Sequence, residues 1–432
     1  MKMDMSNSQT MIEKIISGHC GKMAFAGDIV TADVDTVFFH DGNRPLAIEV
    51  FDEFGVNRIF NPAKVFGIID HAPSCPTESV AKMHYKIRQF QKKYGIKLYE
   101  CGDGSCHQII TEKGHALPGQ IIIGSDSHSC THGAMNAFST GVGVSDLTSA
   151  IITGKLWFLV PETIRVTLKG KLPKGVFAKD IILYIAGLIG ANGANYKALE
   201  FCGDGVGTLS VSSRMTITNM AIEVGAKCAV MPFDGVLETW LREHGYTGYT
   251  PVHPDEGAVY CKEITVDLEK LVPQVAKPHK VDNVVEIGEV LGTPVRQGII
   301  GTCTNGRMED LEAAASILKG KHIAPGFTLI VAPASREIFI EASRSGLLEI
   351  FLKAGANIAM PGCSACSAGA YVGVPFDGEN VITTANRNFK GRLGNPKSFI
   401  YLASPATVAA TALTGKMEDC RTFMDREGGV RK

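Results

Sequence analysis

The sequence predicts an α/β protein built from three α/β/α units with mainly parallel sheets, and three observations lead there. Short uncharged runs such as Val65-Phe66-Gly67-Ile68-Ile69 and Gln120-Ile121-Ile122-Ile123-Gly124 alternate with helical patterns, as strands buried on both faces by crossover helices do. Polar clusters follow these runs directly: Asp70-His71 after the first, and Ser125-Asp126-Ser127-His128 after the second. Ligands of open α/β sheets bind at the carboxyl ends of strands, so these positions have a physical reason to be functional. The chain has 432 residues, too many for one ordinary core.

The first unit, residues 1–160, opens on an amphipathic helix beginning at Met11-Ile12-Glu13-Lys14-Ile15-Ile16. The segment before it, Met1 to Ser6, carries Asp4 and no apolar run, unlike a signal peptide. Glu78 to Tyr94 reads as a helix between strands. The second unit, 161–275, starts at Pro161 with an alternating strand from Thr163 to Leu168 and a helix from Ala178 to Ile189. A further helix, Ser212 to Val224, takes Ser212 or Ser213 as its N-cap and Gly225 as its stop. Asn219 and Glu223 are four apart on it and share one face. Pro273, Pro278, Lys277, Lys280 and Gly292 have weak periodicity, which places a linker at 276–294. The third unit, 295–432, begins with the strand Val295 to Ile300 running into Cys303. It continues with the helix Met308 to Leu318, the strand Thr328 to Ala332 and one helix from Ile338 to Lys353. Cys363 and Cys366 follow, then the strand Val381 to Thr384, a polar run to Arg392, and the helix Pro405 to Leu413 with Gly415 beyond it.

Composition narrows the function classes. Hydrophobic residues make up 45% and charged residues 20%, the profile of a globular enzyme. A net charge of -1 gives no electrostatic reason to expect nucleic acid or an anionic membrane as partner. No run of about 18 uncharged apolar residues occurs. Twelve cysteines without small-domain spacing suit reduced thiols in the cytoplasm, a few of them free to bind metal.

Cys363 and Cys366, three positions apart, together with Cys303 from a separate turn, can hold three corners of a cuboidal iron–sulfur cluster and leave one iron open. Spacing alone leaves structural zinc and plain core cysteines equally open, although zinc needs a fourth ligand that no finger-like spacing supplies. The acid–histidine groupings favour a catalytic reading. Asp70-His71 and Asp126-Ser127-His128, with His107 and Glu223 as further partners, are the means by which tautomers and pKa values are set for acid–base work. Each histidine alone is more often structural, but the three of them with Glu223, after strands or on one polar helix face, are harder to dismiss. Arg387 and Arg392, beside Asn386 and Asn388, can clamp carboxylates bidentately. Gly203-Asp204-Gly205-Val206-Gly207 lacks a clear preceding strand and the spacing of a phosphate loop. Ser335 reads as a helix N-cap.

Taken in order, Asp70-His71, His107-Gln108-Ile109, Gly124 to His128, Arg214 to Met220 with Glu223, Cys303-Thr304-Asn305, Cys363 with Cys366, and Asn386 to Phe389 with Gly391-Arg392 resemble the aconitase family, in its 3-isopropylmalate dehydratase and homoaconitase branch. The resemblance covers most of the chain. It implies three α/β/α domains around a central cleft and one [4Fe–4S] cluster per subunit, held by Cys303, Cys363 and Cys366 near Asn219 and Asn386, with one iron not bound by protein. It implies a hydro-lyase large subunit acting on a di- or tricarboxylate hydroxy acid: a 2-alkylmalate, or in related members homocitrate or a methyl-substituted malate. His71, oriented by Asp70, is the implied acid, with His107–Glu223 and Asp126–His128 as supporting pairs. Ser127, Arg387 and Arg392 are the implied substrate ligands. The family's fourth, swivelling domain is expected on a separate small subunit, which would bring the catalytic base. Iron-responsive RNA binding, a use of the family's cluster-free cleft, is an alternative that the near-zero charge disfavours. The chain departs from the family pattern at Ser367-Ala368-Gly369 after the last cysteine. His40-Asp41 falls where members differ and is a candidate for substrate contact.

Overall fold

A computed structural model describes residues 7–43, 46–363, 366 and 373–424, so Ser367-Ala368-Gly369 and Met1 to Ser6 lie outside the described residues. Among those described, the strands form four sheets. One has five parallel strands in the order Lys97–Tyr99, Val65–Ile68, Thr36–His40, Ile121–Gly124 and Phe138–Gly141. Its side chains alternate between two cores. Val37, Phe39, Ile121 and Ile123 pack with the helices Met11–Cys20 and Glu78–Tyr94, and Phe38, Phe66 and Ile122 pack with Ile109, Met215 and Leu241 on the other side. Burial on both faces is why these strands read as unbroken apolar runs.

A four-stranded parallel sheet runs Cys228–Val230, Ala198–Cys202, Thr163–Lys169, Lys262–Asp267. A seven-stranded sheet runs Val284–Glu286, Gln274–Ala276, Phe399–Leu402, Asn380–Thr383, Gln297–Gly301, Thr328–Ala332, Asn357–Ile358. Its last five strands are parallel and its first two antiparallel. A two-stranded ribbon joins Ile29–Asp33 to Lys155–Leu159. The four- and seven-stranded sheets share a core: Ile182 and Ile185 of the helix Ala178–Ile189 cluster with Ile299, Val381 and Ile400. No helix among the described residues is long and apolar enough to cross a membrane.

Four sequence readings need correction. The expected linker at 276–294 contains the strand Val284–Glu286, which pairs with Gln274–Ala276 on the edge of the seven-stranded sheet. Three-residue strands are too short to leave a periodic signal. The helix expected from Ile338 to Lys353 is two helices, Arg336–Arg344 and Leu347–Ala354, broken where Gly346 takes φ 78°. The helix around Asn219 is capped by Ser210, whose side chain accepts the Ser213 N–H, and turns 3-10 from Met220 to Val224 before Gly225 at φ 85°. Gly203 does follow a strand, Ala198–Cys202, but a Cβ there would sit 2.2 Å from the Leu168 carbonyl oxygen, so the glycine permits close packing.

Candidate active site

The carboxyl ends of the five- and seven-stranded sheets deliver side chains to one cavity of about 380 Å³. From the first come Asp70 and His71 after Val65–Ile68, Cys106 and His107 after Lys97–Tyr99, and Asp126, Ser127 and His128 after Ile121–Gly124. From the second come Cys303 after Gln297–Gly301, Cys363 and Cys366 after Asn357–Ile358, and Asn386, Arg387 and Arg392 after Asn380–Thr383. Asn219 and Glu223 stand one contact behind the lining.

Asp126 is the hub of the acid–histidine network. Its Oδ1 lies 3.0 Å from His107 Nε2 and 3.2 Å from His128 Nδ1 and accepts the His128 N–H at 2.7 Å. Burial opposes its charge, yet the hydrogen bonds from His107, His128 and His71 hold its carboxyl well below the usual range. His128 Nε2 is 2.7 Å from Glu223 Oε1, which also accepts from Arg387 Nε at 2.7 Å. The expected pairing of His107 with Glu223 is therefore replaced by His107–Asp126 and His128–Glu223, because the chain turns 3-10 before Glu223 and brings it to His128. His71 Nδ1 lies 2.7 Å from Asp70 Oδ1, and Asp70 Oδ2 accepts the Cys106 N–H at 2.6 Å. Burial works against an imidazolium, but Asp70 and Asp126 outweigh it and keep His71 well above the usual histidine value.

The three predicted thiols are buried, and amides and a guanidinium aim at the sulfurs of Cys303 and Cys366. Cys303 Sγ lies 3.5 Å from Asn219 Nδ2 and 3.8 Å from Asn386 Nδ2, and Cys366 Sγ lies 3.0 Å from Arg392 Nη2. Between Cys363 and Cys366, the hydrogen bond joining them and the Arg392 guanidinium favour the thiolate on Cys366. Each cysteine turn uses a glycine in a conformation that other residues rarely adopt. Gly301 has φ 131° and Gly362 φ 147°; a Cβ would sit 2.0 Å from Ala332 O at the first and 2.8 Å from Asp70 O at the second. Thr302 is left-handed at φ 69°, an uncommon conformation for a β-branched residue, directly before Cys303.

The profile of the aconitase family (aconitate hydratase) matches residues 13–294 and 288–415. The chain belongs to the aconitase family. The 3-isopropylmalate dehydratase large subunit 1 of Methanopyrus kandleri is 46% identical to it over 417 residues, 96% of this chain and 100% of that protein. The probable methanogen homoaconitase large subunit of Methanosarcina mazei is 49% identical over 391 residues, 90% of this chain and 99% of that protein. In fold the chain is similar to Thermococcus kodakaraensis aconitase X in its holo-form, with a TM-score of 0.51 and 14% identity over 85% of this chain and 89% of that one.

For this aconitase-family chain the donor set fits an iron–sulfur cluster: three buried thiols, with N–H donors of the kind cluster sulfurs accept beside Cys303 and Cys366. Cys106 also lines the cavity, but burial and the nearby Asp70 and Asp126 charges keep it well above the usual thiol value, as a protonated group. Two side chains take roles that the sequence reading did not give them: Asp41, expected with His40 as a substrate contact, does not line the cavity, and Lys179 was not singled out. Asp41 accepts the N–H groups of Asp70, His71 and Ala72 at 3.0, 2.8 and 3.0 Å, and its Oδ2 lies 3.0 Å from His84 Nε2. It fixes the turn that carries His71. The only trace of this in the sequence is an acid directly after a strand. Lys179, fully buried on the helix Ala178–Ile189, donates to Thr384 O at 2.8 Å and Ala385 O at 2.7 Å and so pins the turn before Asn386. Nothing in its neighbourhood in the sequence marks it.

Proposed function

We propose that this chain is the large, cluster-bearing subunit of a hydro-lyase that isomerises a 2-alkylmalate, with 3-isopropylmalate as substrate, removing water and returning it to the neighbouring carbon. The observation that carries this reading is one cavity in which three thiols face an acid–histidine pair and two arginines. The substrate is carried over from the dehydratase large subunit of Methanopyrus kandleri. Homoaconitase is the second reading, favoured by the relative from Methanosarcina mazei.

A [4Fe–4S] cluster held by Cys303, Cys363 and Cys366 supplies, when bound, an iron free of protein ligands that acts as a Lewis acid toward the substrate's hydroxyl and a carboxylate. His71 is the acid. Its Nδ1–H donates to Asp70, so the transferable proton is on Nε2, and that proton goes to the departing hydroxyl oxygen. Arg387, whose Nη2 donates to Ser127 Oγ at 3.0 Å, forms with that hydroxyl a seat for one carboxylate. Arg392 Nε is buried without a partner among the described residues, which suits a second carboxylate. Glu223 and His128 hold Arg387 in place, and Asp126 with His107 orders the opposite wall. A small subunit, suggested by relatives named as large subunits, brings the base that removes the carbon-bound proton.

The test is anaerobic reconstitution of the cluster, addition of a small subunit, and assay with 3-isopropylmalate, homoaconitate and 2,3-dimethylmalate. The reading expects turnover of 3-isopropylmalate above the others. Preference for homoaconitate would select the second reading, and no hydration or dehydration of any of them would sink both.

A further inference from the structure

We propose that His40 is a positioning residue for the proton transfer: its Nε2–H takes over the Asp126 carboxylate oxygen as His71 gives up its proton. The proposal rests on the dehydratase reading above and adds to it a residue that stands behind the cavity wall.

His40 ends the strand Thr36–His40 and is 3% exposed. Its ring stacks on His71 with centroids 4.0 Å apart and 20° between planes. The Gly42 N–H donates to His40 Nδ1 at 2.9 Å, so the neutral ring carries its proton on Nε2. That nitrogen is buried and has no hydrogen-bond partner among the described residues, and Asp126 Oδ2 stands 3.7 Å from it. His71 Nε2 stands 3.7 Å from the same oxygen. The two imidazoles thus converge on one carboxylate oxygen. Gly42 makes room for them, since a Cβ there would lie 2.6 Å from the His71 ring and 2.9 Å from His40 Nδ1.

A buried donor without an acceptor is unfavourable, and a donor that gains its acceptor only as the reaction proceeds favours the later state over the earlier one. Before transfer, the His71 imidazolium faces Asp126. The Nε2–H bond of His71 then breaks, its proton joins the substrate's hydroxyl oxygen, and the C–O electron pair departs with the water. The Nε2 lone pair left on His71 repels Asp126 Oδ2, and a small turn of the carboxylate toward His40 removes the repulsion and satisfies the waiting donor. The His40 proton never leaves His40. Burial and the neighbouring His71 charge lower His40 to about 4, so it stays neutral beside the acid. The other charged groups around the two rings are Asp70 and Asp41, with His84 behind Asp41, His107 and His128 behind Asp126, and Arg387 and Arg392 across the cavity.

The experiment compares His40→Phe, which keeps a stacking ring and loses the donor, with His40→Gln, which keeps a donor, in the cluster-loaded complex with its small subunit. Without the donor, Asp126 stays with His71 and stabilises the imidazolium. The phenylalanine variant should therefore lose about tenfold or more in kcat with KM within about threefold, and the alkaline limb of its pH profile should move upward. The glutamine variant should recover part of both. A raised KM with unchanged kcat would make His40 a substrate contact, and equal losses with an unmoved limb would make it merely structural; either overturns the proposal. Nitrogen-detected histidine titration of the full-length chain needs no turnover, so it separates this proposal from the dehydratase reading. Wild type should show His40 neutral with the proton on Nε2 at pH 7. A charged His40, or a proton on Nδ1, would also overturn it.

Discussion

His71 presents a single exchangeable proton to the cavity because Asp70 occupies its Nδ1 at 2.7 Å. Burial opposes its charge, but Asp70 and Asp126 keep it protonated well above the usual histidine range. Activity should therefore fall on the alkaline side, as pH rises through that raised value. His71→Ala should keep its iron and sulfide while kcat drops about 10²- to 10⁴-fold, the usual worth of a positioned acid; unchanged turnover would remove His71 from that role. Asp41 and His84 give a second pH signature, in stability. Although burial opposes it, Asp41 raises His84 from 6.5 to about 9. A folded pKa above the unfolded one means that this stabilisation is complete below pH 6.5 and lost as pH rises through about 9. Asp41→Asn should lower the thermal midpoint at pH 6, by the equivalent of about 1–3 kcal/mol, and flatten its decline toward pH 9. A wild-type stability curve in that variant would show that the pair contributes nothing. Both His71 and Asp41 follow strands and both were candidates from sequence, yet only the role of His71 was legible, because Asp41 acts through backbone N–H groups that have no identity of their own.

At the scale of elements, the cluster turns depend on glycines that bring backbones into contact. The Cys363 N–H donates to Asp70 O at 2.9 Å, which ties the cysteine loop of the seven-stranded sheet to the acid turn of the five-stranded one. Gly362 permits that approach. Gly362→Ala should push the two turns apart and lower both iron retention and kcat, measured by iron and acid-labile sulfide per chain; full cluster content in this variant would show that the contact is dispensable. The helices Ala178–Ile189 and Met308–Leu318 and the strand Thr328–Ala332 were read from periodicity to the residue. The hairpin of Gln274–Ala276 with Val284–Glu286 was not, since its strands are too short to show a period and prolines flank them. The break at Gly346 was missed because both flanking helices keep an apolar face and one glycine is compatible with either reading.

For the whole molecule, the proposal requires a cluster and a partner. The anaerobically isolated chain should hold close to four irons and four sulfides, and Cys303→Ser, Cys363→Ser or Cys366→Ser should each remove them; stoichiometric zinc without sulfide would end the cluster reading. Turnover should appear only on adding a small subunit, and robust activity of this chain alone would refute a shared site. The sequence by itself determined the α/β class, most of the strands and helices, and the residue types of the site, because periodicity and strand-end chemistry are local properties of the chain. The tertiary structure decided the partners. Only the packed fold brings Glu223 to His128 rather than His107, Lys179 to the carbonyls before Asn386, and His40 face to face with His71. These contacts join residues tens to hundreds of positions apart, and their geometry is set by how whole sheets meet, which no local pattern records.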